Sequence, residues 1–167
     1  NSVGRYQYLI LCLDADESTV PYRRQELERH LSELRTQGVF LEDGCQLELV
    51  VQNRCLETWF LGNKKIYKNN PSSKELADFQ KFYNVQENDP EGLPVIPGFD
   101  NHARSHFAYL REMLLERNIR YSKKHPRDVA EPHYLEQLVL RAQEEGHIGS
   151  FLHLVELLKK FQTELED

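Results

Sequence analysis

The first patterned stretch of the chain is an apolar run from Tyr8 to Leu13, which two aspartates, Asp14 and Asp16, follow closely. An apolar run without polar alternation is typical of a strand that is covered on both faces, as in the centre of a mainly parallel sheet. Ligands of such sheets bind beyond the carboxyl ends of the strands. The pattern therefore predicts a buried strand that leads directly into a site.

The next two elements complete an α/β unit. A helix is predicted after the strand, because Pro21 suits a first helical turn and leucines recur at helical spacing before Gly38. A second strand is predicted from Gln46 to Val51. A strand, a helix and another strand favour a right-handed crossover helix between parallel strands.

A short helix is predicted directly after the second strand, with Leu56, Trp59 and Phe60 on one face and Glu57 on another. A helix that begins where a strand ends would hold Glu57 near the Asp14 end of the sheet. The alternative is an ordinary exposed glutamate on the surface of the helix.

The remainder of the chain is predicted to be helical after a change of composition. Asn, Pro and Gly indicate an irregular connection that contains one short helix. Three amphipathic helices follow, from about Asn101 to Asn118, from about Glu131 to Glu144 and from about Gly149. We expect them to pack on each other or on the sheet. The predicted division is an α/β part at 1–68, the connection at 69–101 and a helical tail at 102–167.

The composition describes a soluble protein with an excess of acidic residues. Charged residues make up 29% of the chain and the formal net charge is -6. This charge argues against a uniformly basic nucleic-acid binder, although it permits basic patches. No apolar run approaches the length of a membrane span. The cysteines Cys12, Cys45 and Cys55 contain no Cys-x-x-Cys pair, so we expect reduced, buried thiols in a cytoplasmic protein.

The two aspartates favour a divalent cation. Asp14 and Asp16 are two residues apart, so both side chains point the same way on an extended backbone and can reach one ion. Glu17 is the candidate for a third oxygen ligand. Carboxylate ligands suit Mg²⁺ or Mn²⁺ better than zinc. The alternative interpretation is that these acidic residues form the turn and the N-cap region before the next helix.

Two histidines also have the spacing of a metal-binding pair, because His102 and His106 are four residues apart on a predicted helix. The glutamate that follows the first histidine in zinc proteases is missing. We therefore interpret both as solvated or capping histidines.

The most basic stretch lies between the first two helices of the predicted tail. It combines cations with hydroxyl groups and an aromatic ring, the mixture that contacts with a nucleic-acid backbone need. An ordinary lysine-rich surface loop is the alternative. Together with two lysines that follow the Trp59 helix, the candidate nucleic-acid-binding residues are Lys64, Lys65, Arg120, Lys123, Lys124 and Arg127.

The order of strand, Asp14-x-Asp16-Glu17, helix, strand and Glu57-x-Trp59 resembles the C-terminal half of a Toprim domain. It is most similar to small bacterial Toprim-like families that carry a helical tail. The resemblance implies a partial Toprim-like sheet and a Mg²⁺-dependent or Mn²⁺-dependent nuclease that acts on DNA or RNA, in phage defence or in a mobile element. Asp14 and Asp16 match the metal-binding Asp-x-Asp of the family and Glu57 matches the glutamate before tryptophan, so these three are the implied catalytic residues.

The resemblance also places a further strand with a glutamate upstream of Tyr8. In the family this glutamate acts as general acid or base, or completes the metal site. We expect it to come from a preceding segment of a longer protein or from a partner chain, or the protein to be inactive.

Two other functions are compatible with the same residues. One is a non-catalytic Toprim-like module for binding or assembly within a larger complex. The other is a phosphatase, because a strand followed by Asp-x-Asp resembles the first motif of haloacid-dehalogenase-like enzymes, with Asp14 as nucleophile and Asp16 as general acid or base. The later acidic pair at a strand end that those phosphatases need has no counterpart among the predicted elements.

Overall fold

The computed structural model describes residues 6–41 and 43–166, apart from the side chains of Arg127 and Leu165. Residues 1–5, 42 and 167 lie outside this description. Within it the chain forms two strands, β1 (Tyr8–Asp14) and β2 (Gln46–Gln52). The α-helices are α1 (Val20–Thr36), α2 (Leu56–Phe60), α3 (Lys74–Phe82), α4 (His102–Leu115), α5 (Pro132–Glu145) and α6 (Gly149–Glu166).

The two strands pair in parallel, with Tyr8 opposite Gln46 and Asp14 opposite Gln52. Helix α1 connects them, and it begins after Thr19, whose side chain accepts a hydrogen bond from the Tyr22 N–H at 3.4 Å. The predicted α/β class, the parallel pairing and the crossover helix are therefore confirmed. Among the described residues no helix combines the length and the apolar character that a membrane span requires.

The prediction that β1 is covered on both faces is wrong. Leu9 is 49% exposed and Ile10 is 36% exposed, and no residue of α1 is buried. In the described part of the chain β1 has a neighbouring strand on one side only, so its apolar run does not lie in the centre of a sheet. The buried strand is β2, where Val50 and Val51 are almost fully enclosed.

The helices of the predicted tail share one hydrophobic core with the sheet. Helix α6 packs on β2 and on α5, while α4 packs on α2 and on α3. The core runs from Val50 of β2 through Trp59 of α2 to Tyr109, Leu138 and Phe161 of the later helices. The expectation that these helices pack on each other or on the sheet is confirmed.

Hydrogen bonds to polar side chains hold the irregular connection between α3 and α4. Arg141 of α5 is 3% exposed and donates hydrogen bonds to the carbonyl oxygens of Gly62, Val85 and Asn88 at 3.1, 2.7 and 2.8 Å. Glu91 accepts a bond from the Ser150 N–H at 3.0 Å, at the start of α6. The connection is therefore held from both later helices, although it has little regular structure of its own.

Candidate functional site

The site lies where β1 and β2 end, because hydrogen bonds tie the two turns that follow them. The Ala15 N–H donates to the Gln52 carbonyl and the Asp16 N–H donates to the Arg54 carbonyl, both at 2.9 Å. The Arg54 side chain donates to the Ser18 carbonyl at 2.9 Å. The acidic turn after β1 is thus fixed against the segment that leads into α2.

Asp16 does not continue the extended backbone of β1, so the prediction that Asp14 and Asp16 project from one extended segment is wrong. Asp14 is the last residue of the strand, and Asp16 has a positive φ of 52°. Asp residues adopt this left-handed conformation more readily than most because their short side chain bonds locally. A turn therefore separates the two carboxylates, and the Asp16 side chain is 57% exposed.

The charges around Asp14 show which carboxylates the structure brings together. Burial raises the pKa of the Asp14 carboxyl, and the negative charges of Asp16 and Glu57 raise it further. Lys123 and Arg23 act in the opposite direction on the same pKa. Since these are through-space interactions, the three predicted catalytic carboxylates share one electrostatic environment with two cations nearby.

Glu57 is the buried member of this cluster. Helix α2 begins after Cys55, whose N–H donates to the Thr58 side chain at 3.3 Å, and this places Glu57 in the first turn. The Glu57 side chain is 1% exposed, so the alternative of an exposed helix glutamate does not apply. Leu56, which we predicted to share the apolar face of this helix, is 38% exposed.

The two oxygens of Glu57 have different surroundings. Oε1 accepts a hydrogen bond from the Tyr121 hydroxyl at 3.0 Å and lies 3.6 Å from Lys123 Nζ. Oε2 is buried and has no hydrogen-bond partner among the described residues. Burying a carboxylate oxygen without a partner is costly, so this atom marks a place where a cation or a donor is needed.

His106 of α4 contacts Thr58 of α2 and the backbone of Leu93. Its Nδ1 lies 2.8 Å from Thr58 Oγ1 and its Nε2 lies 3.1 Å from the Leu93 carbonyl oxygen. Because a carbonyl only accepts, Nε2 carries the proton and Nδ1 accepts from the Thr58 hydroxyl in the neutral ring. Burial lowers the pKa of His106 to about 4. The residue is therefore a neutral core histidine, and the interpretation of it as solvated or capping is wrong.

The structure directs Glu17 towards α4 and not towards the two aspartates. Its carboxylate accepts from the His102 N–H at 2.7 Å, and its other oxygen lies 2.7 Å from His102 Nδ1. Burial acts to raise the pKa of Glu17, but its hydrogen bonds with His102 outweigh this and leave it lowered. Glu17 thus places negative charge at the N-terminus of α4, where the helix dipole favours it.

The six candidate basic residues do not share one environment. Lys123 reaches Glu57, whereas Lys64 forms an ion pair of 2.6 Å with Glu145 of α5. Lys65, Arg120 and Lys124 are exposed, and the side chain of Arg127 lies outside the described part of the structure. Lys123 is therefore the predicted basic residue that the structure brings to the carboxylates.

The residues fit a hydrated divalent cation better than a closed cage. Within the described residues no group of three or more His, Cys, Asp or Glu side chains is already close enough to hold a metal ion. Mg²⁺ commonly keeps several waters and takes only one or two carboxylates from the protein. Asp14 and Asp16 are the candidates for such a pair, and Glu57, whose Oε2 has no hydrogen-bond partner among the described residues, acts electrostatically on Asp14.

No family model, curated protein or solved structure matches this chain. The assignment of a function therefore depends on the side chains of the site.

Two residues of the site escaped the sequence analysis. Arg23 of α1 donates to the Asp14 carbonyl at 3.2 Å and forms an ion pair of 3.4 Å with Asp16. The sequence signal for Arg23 was its position one helical turn after Thr19, the N-cap of the helix that follows β1. Tyr121 lies in the basic stretch but is buried against Glu57. The periodicity of hydrophobic residues does not reveal a contact made by a loop residue.

Proposed function

We propose that this chain is a Toprim-like, metal-dependent nuclease that hydrolyses phosphodiester bonds in DNA or RNA. The observation that carries the proposal is the convergence of Asp14, Asp16 and buried Glu57 at the ends of two parallel strands. Carboxylates in a partly buried site repel one another, and binding of a divalent cation relieves this repulsion. The setting in phage defence or in a mobile element rests on the resemblance alone.

In this proposal Asp14 and Asp16 would hold Mg²⁺ or Mn²⁺, and the partnerless Oε2 of Glu57 would add negative charge. When bound, the ion supplies polarisation of the phosphate and lowers the pKa of an attacking water. Tyr121 fixes the orientation of Glu57 by donating to Oε1. Arg23 and Lys123 border the carboxylates and provide positive charge for the phosphate backbone, where such contacts give affinity without base selection.

We further propose that a strand from a preceding segment or from a partner chain pairs with β1 and adds a carboxylate to this site. The Gln7 carbonyl and the Ala15 N–H both bond to β2 or to its flanking residues. Backbone groups alternate in direction along a strand, so those of Ile10 and Cys12 face away from β2. A strand added in parallel at this edge would end beside Asp14.

The proposal is tested with labelled single-stranded and duplex DNA and RNA in Mg²⁺, in Mn²⁺ and in EDTA. We expect cleavage that needs the metal and that falls at least a hundredfold in Asp14→Asn and in Asp16→Asn. Asp78→Asn on the exposed surface of α3 is the matched control and should cleave normally. Cleavage that persists in EDTA or in both site variants would refute the assignment.

The second candidate is a non-catalytic module for binding or assembly, and the exposed apolar surface of β1 favours it. Leu9 and Ile10 present apolar side chains to solvent beside a strand edge that no other strand of the described residues pairs with. Such an edge is suited to pairing with another chain. Metal-independent binding of nucleic acid without cleavage would favour this candidate over the nuclease.

A further inference from the structure

Lys123 makes an unusual contact with the buried carboxylate of the site. Its side chain is 63% exposed, yet its Nζ lies 3.6 Å from Oε1 of Glu57, which is 1% exposed. The positive charge of Lys123 also lowers the pKa of Asp14. The ammonium group thus reaches from the surface into the region between the carboxylates.

The two partners of Glu57 differ in how firmly they are held. The Tyr121 hydroxyl donates at 3.0 Å from a side chain that is only 8% exposed. At 3.6 Å the lysine contact is longer than a hydrogen bond, and a lysine stem is flexible. The tyrosine is therefore a fixed partner, and the lysine is an exchangeable one.

A hydrogen-bonded turn holds the backbone at Lys123 in place. The His125 N–H donates to the Ser122 carbonyl at 3.0 Å, which closes a tight turn around Lys123. Lys123 also lines a shallow depression together with Arg104 and Phe107 of α4. A swing of the side chain towards this depression needs no rearrangement of the loop.

We propose that Lys123, whose ammonium lies beside Oε1 of Glu57, supplies the positive charge of the carboxylate site and moves outwards to the depression beside Phe107 when a divalent ion binds. This inference rests on the proposed metal site and adds an order of events to it. With the ion bound, the Lys123 ammonium would leave Glu57, and its positive charge would face an approaching phosphate. Binding of metal and binding of nucleic acid are thereby coupled, since each favours the outward position of the same side chain.

The test measures Mn²⁺ affinity by titration calorimetry in the wild type, in Lys123→Met and in Lys81→Met. Methionine keeps the apolar stem and removes the charge. Lys81 is an exposed lysine of α3 and serves as the control for a general change in net charge. We expect Lys123→Met to bind Mn²⁺ about tenfold more tightly, because the competing positive charge 3.6 Å from Oε1 of Glu57 is gone. Lys81→Met should stay within about twofold of the wild type.

A second measurement follows the coupling to the substrate. Mn²⁺ should strengthen the binding of a labelled oligonucleotide by the wild type, measured in a short incubation on ice that keeps cleavage slow. It should strengthen the binding less in Lys123→Met. Equal or weaker Mn²⁺ binding by Lys123→Met, with normal binding by the wild type, would overturn the displacement while leaving the metal site in place. Absence of Mn²⁺ binding by the wild type would overturn both.

Discussion

His106 should make the stability of this protein depend on pH between about 4 and 6.5. Its ring is fully enclosed, and burial lowers its pKa from 6.5 to about 4. In the unfolded chain the same ring takes up a proton near its ordinary pKa. Between these two values the unfolded state binds more protons than the folded state, so the free energy of unfolding rises with pH and falls as the solution becomes more acidic.

The size of the effect follows from the difference between the two pKa values. A shift from 6.5 to about 4 corresponds to a total of about 3 kcal/mol. About 2 kcal/mol of this is lost when the pH falls from 7.5 to 5. The loss is large compared with the 5 to 15 kcal/mol, roughly, that holds a typical domain together.

Urea unfolding followed by the fluorescence of buried Trp59 measures this dependence. The experiment compares the wild type with His106→Gln, which is neutral at every pH and keeps an amide donor for the Leu93 carbonyl. The variant loses about 1 to 2 kcal/mol at pH 7.5, because its contact with the Thr58 hydroxyl is imperfect. Its free energy of unfolding should then fall about 2 kcal/mol less than that of the wild type on going to pH 5.

Carboxyl groups titrate in the same range, so the difference between the two proteins is the informative quantity. The control is His133→Gln, which changes an exposed histidine in the first turn of α5 and should leave the wild-type dependence intact. Parallel pH profiles for the wild type and His106→Gln would refute the assignment of His106 as a neutral buried ring.

Two further predictions concern buried groups away from the carboxylates. Arg141→Met should lower the free energy of unfolding by about 3 kcal/mol, because three carbonyl oxygens, two of them in buried hydrogen bonds, lose their donor. A loss below about 1 kcal/mol in urea unfolding would contradict this role. Ellman's reagent should label Cys12 and Cys45 in the native protein but reach Cys55 only after unfolding, since burial raises the pKa of Cys55 to about 11. Equal rates for all three thiols in the native state would show that Cys55 is accessible.

The elements of this fold were predictable because their signals are local. The Pro21 start of α1, the leucine spacing and the apolar run of β2 each depend on neighbours within a few residues. The burial of β1 was predicted wrongly. An apolar run shows that its residues favour burial, but it does not show whether other helices or strands cover them. Likewise, all three cysteines were expected to be buried, but only Cys55 is buried and Cys12 is exposed.

The candidate site was predictable in part for the same reason. The sequence pointed to Asp14, Asp16 and Glu57, since each directly follows a predicted strand or opens the next helix. It gave no sign that Glu17 would bind His102, because that contact joins residues 85 positions apart. The contact of Tyr121 with Glu57 is similarly remote, because it joins residues 64 positions apart.

One edge of β1 has no neighbouring strand within residues 6–41 and 43–166, and this has a consequence for handling the isolated protein. From Tyr8 to Leu13 this edge contains no charged residue and no proline, the features that usually prevent strands of different molecules from pairing. Exposed apolar strands of this kind promote strand pairing between molecules, and hence aggregation, as the protein concentration rises. We therefore expect the edge of β1 to promote aggregation. A sample that stays clear when dilute should become turbid on concentration unless another strand covers that edge.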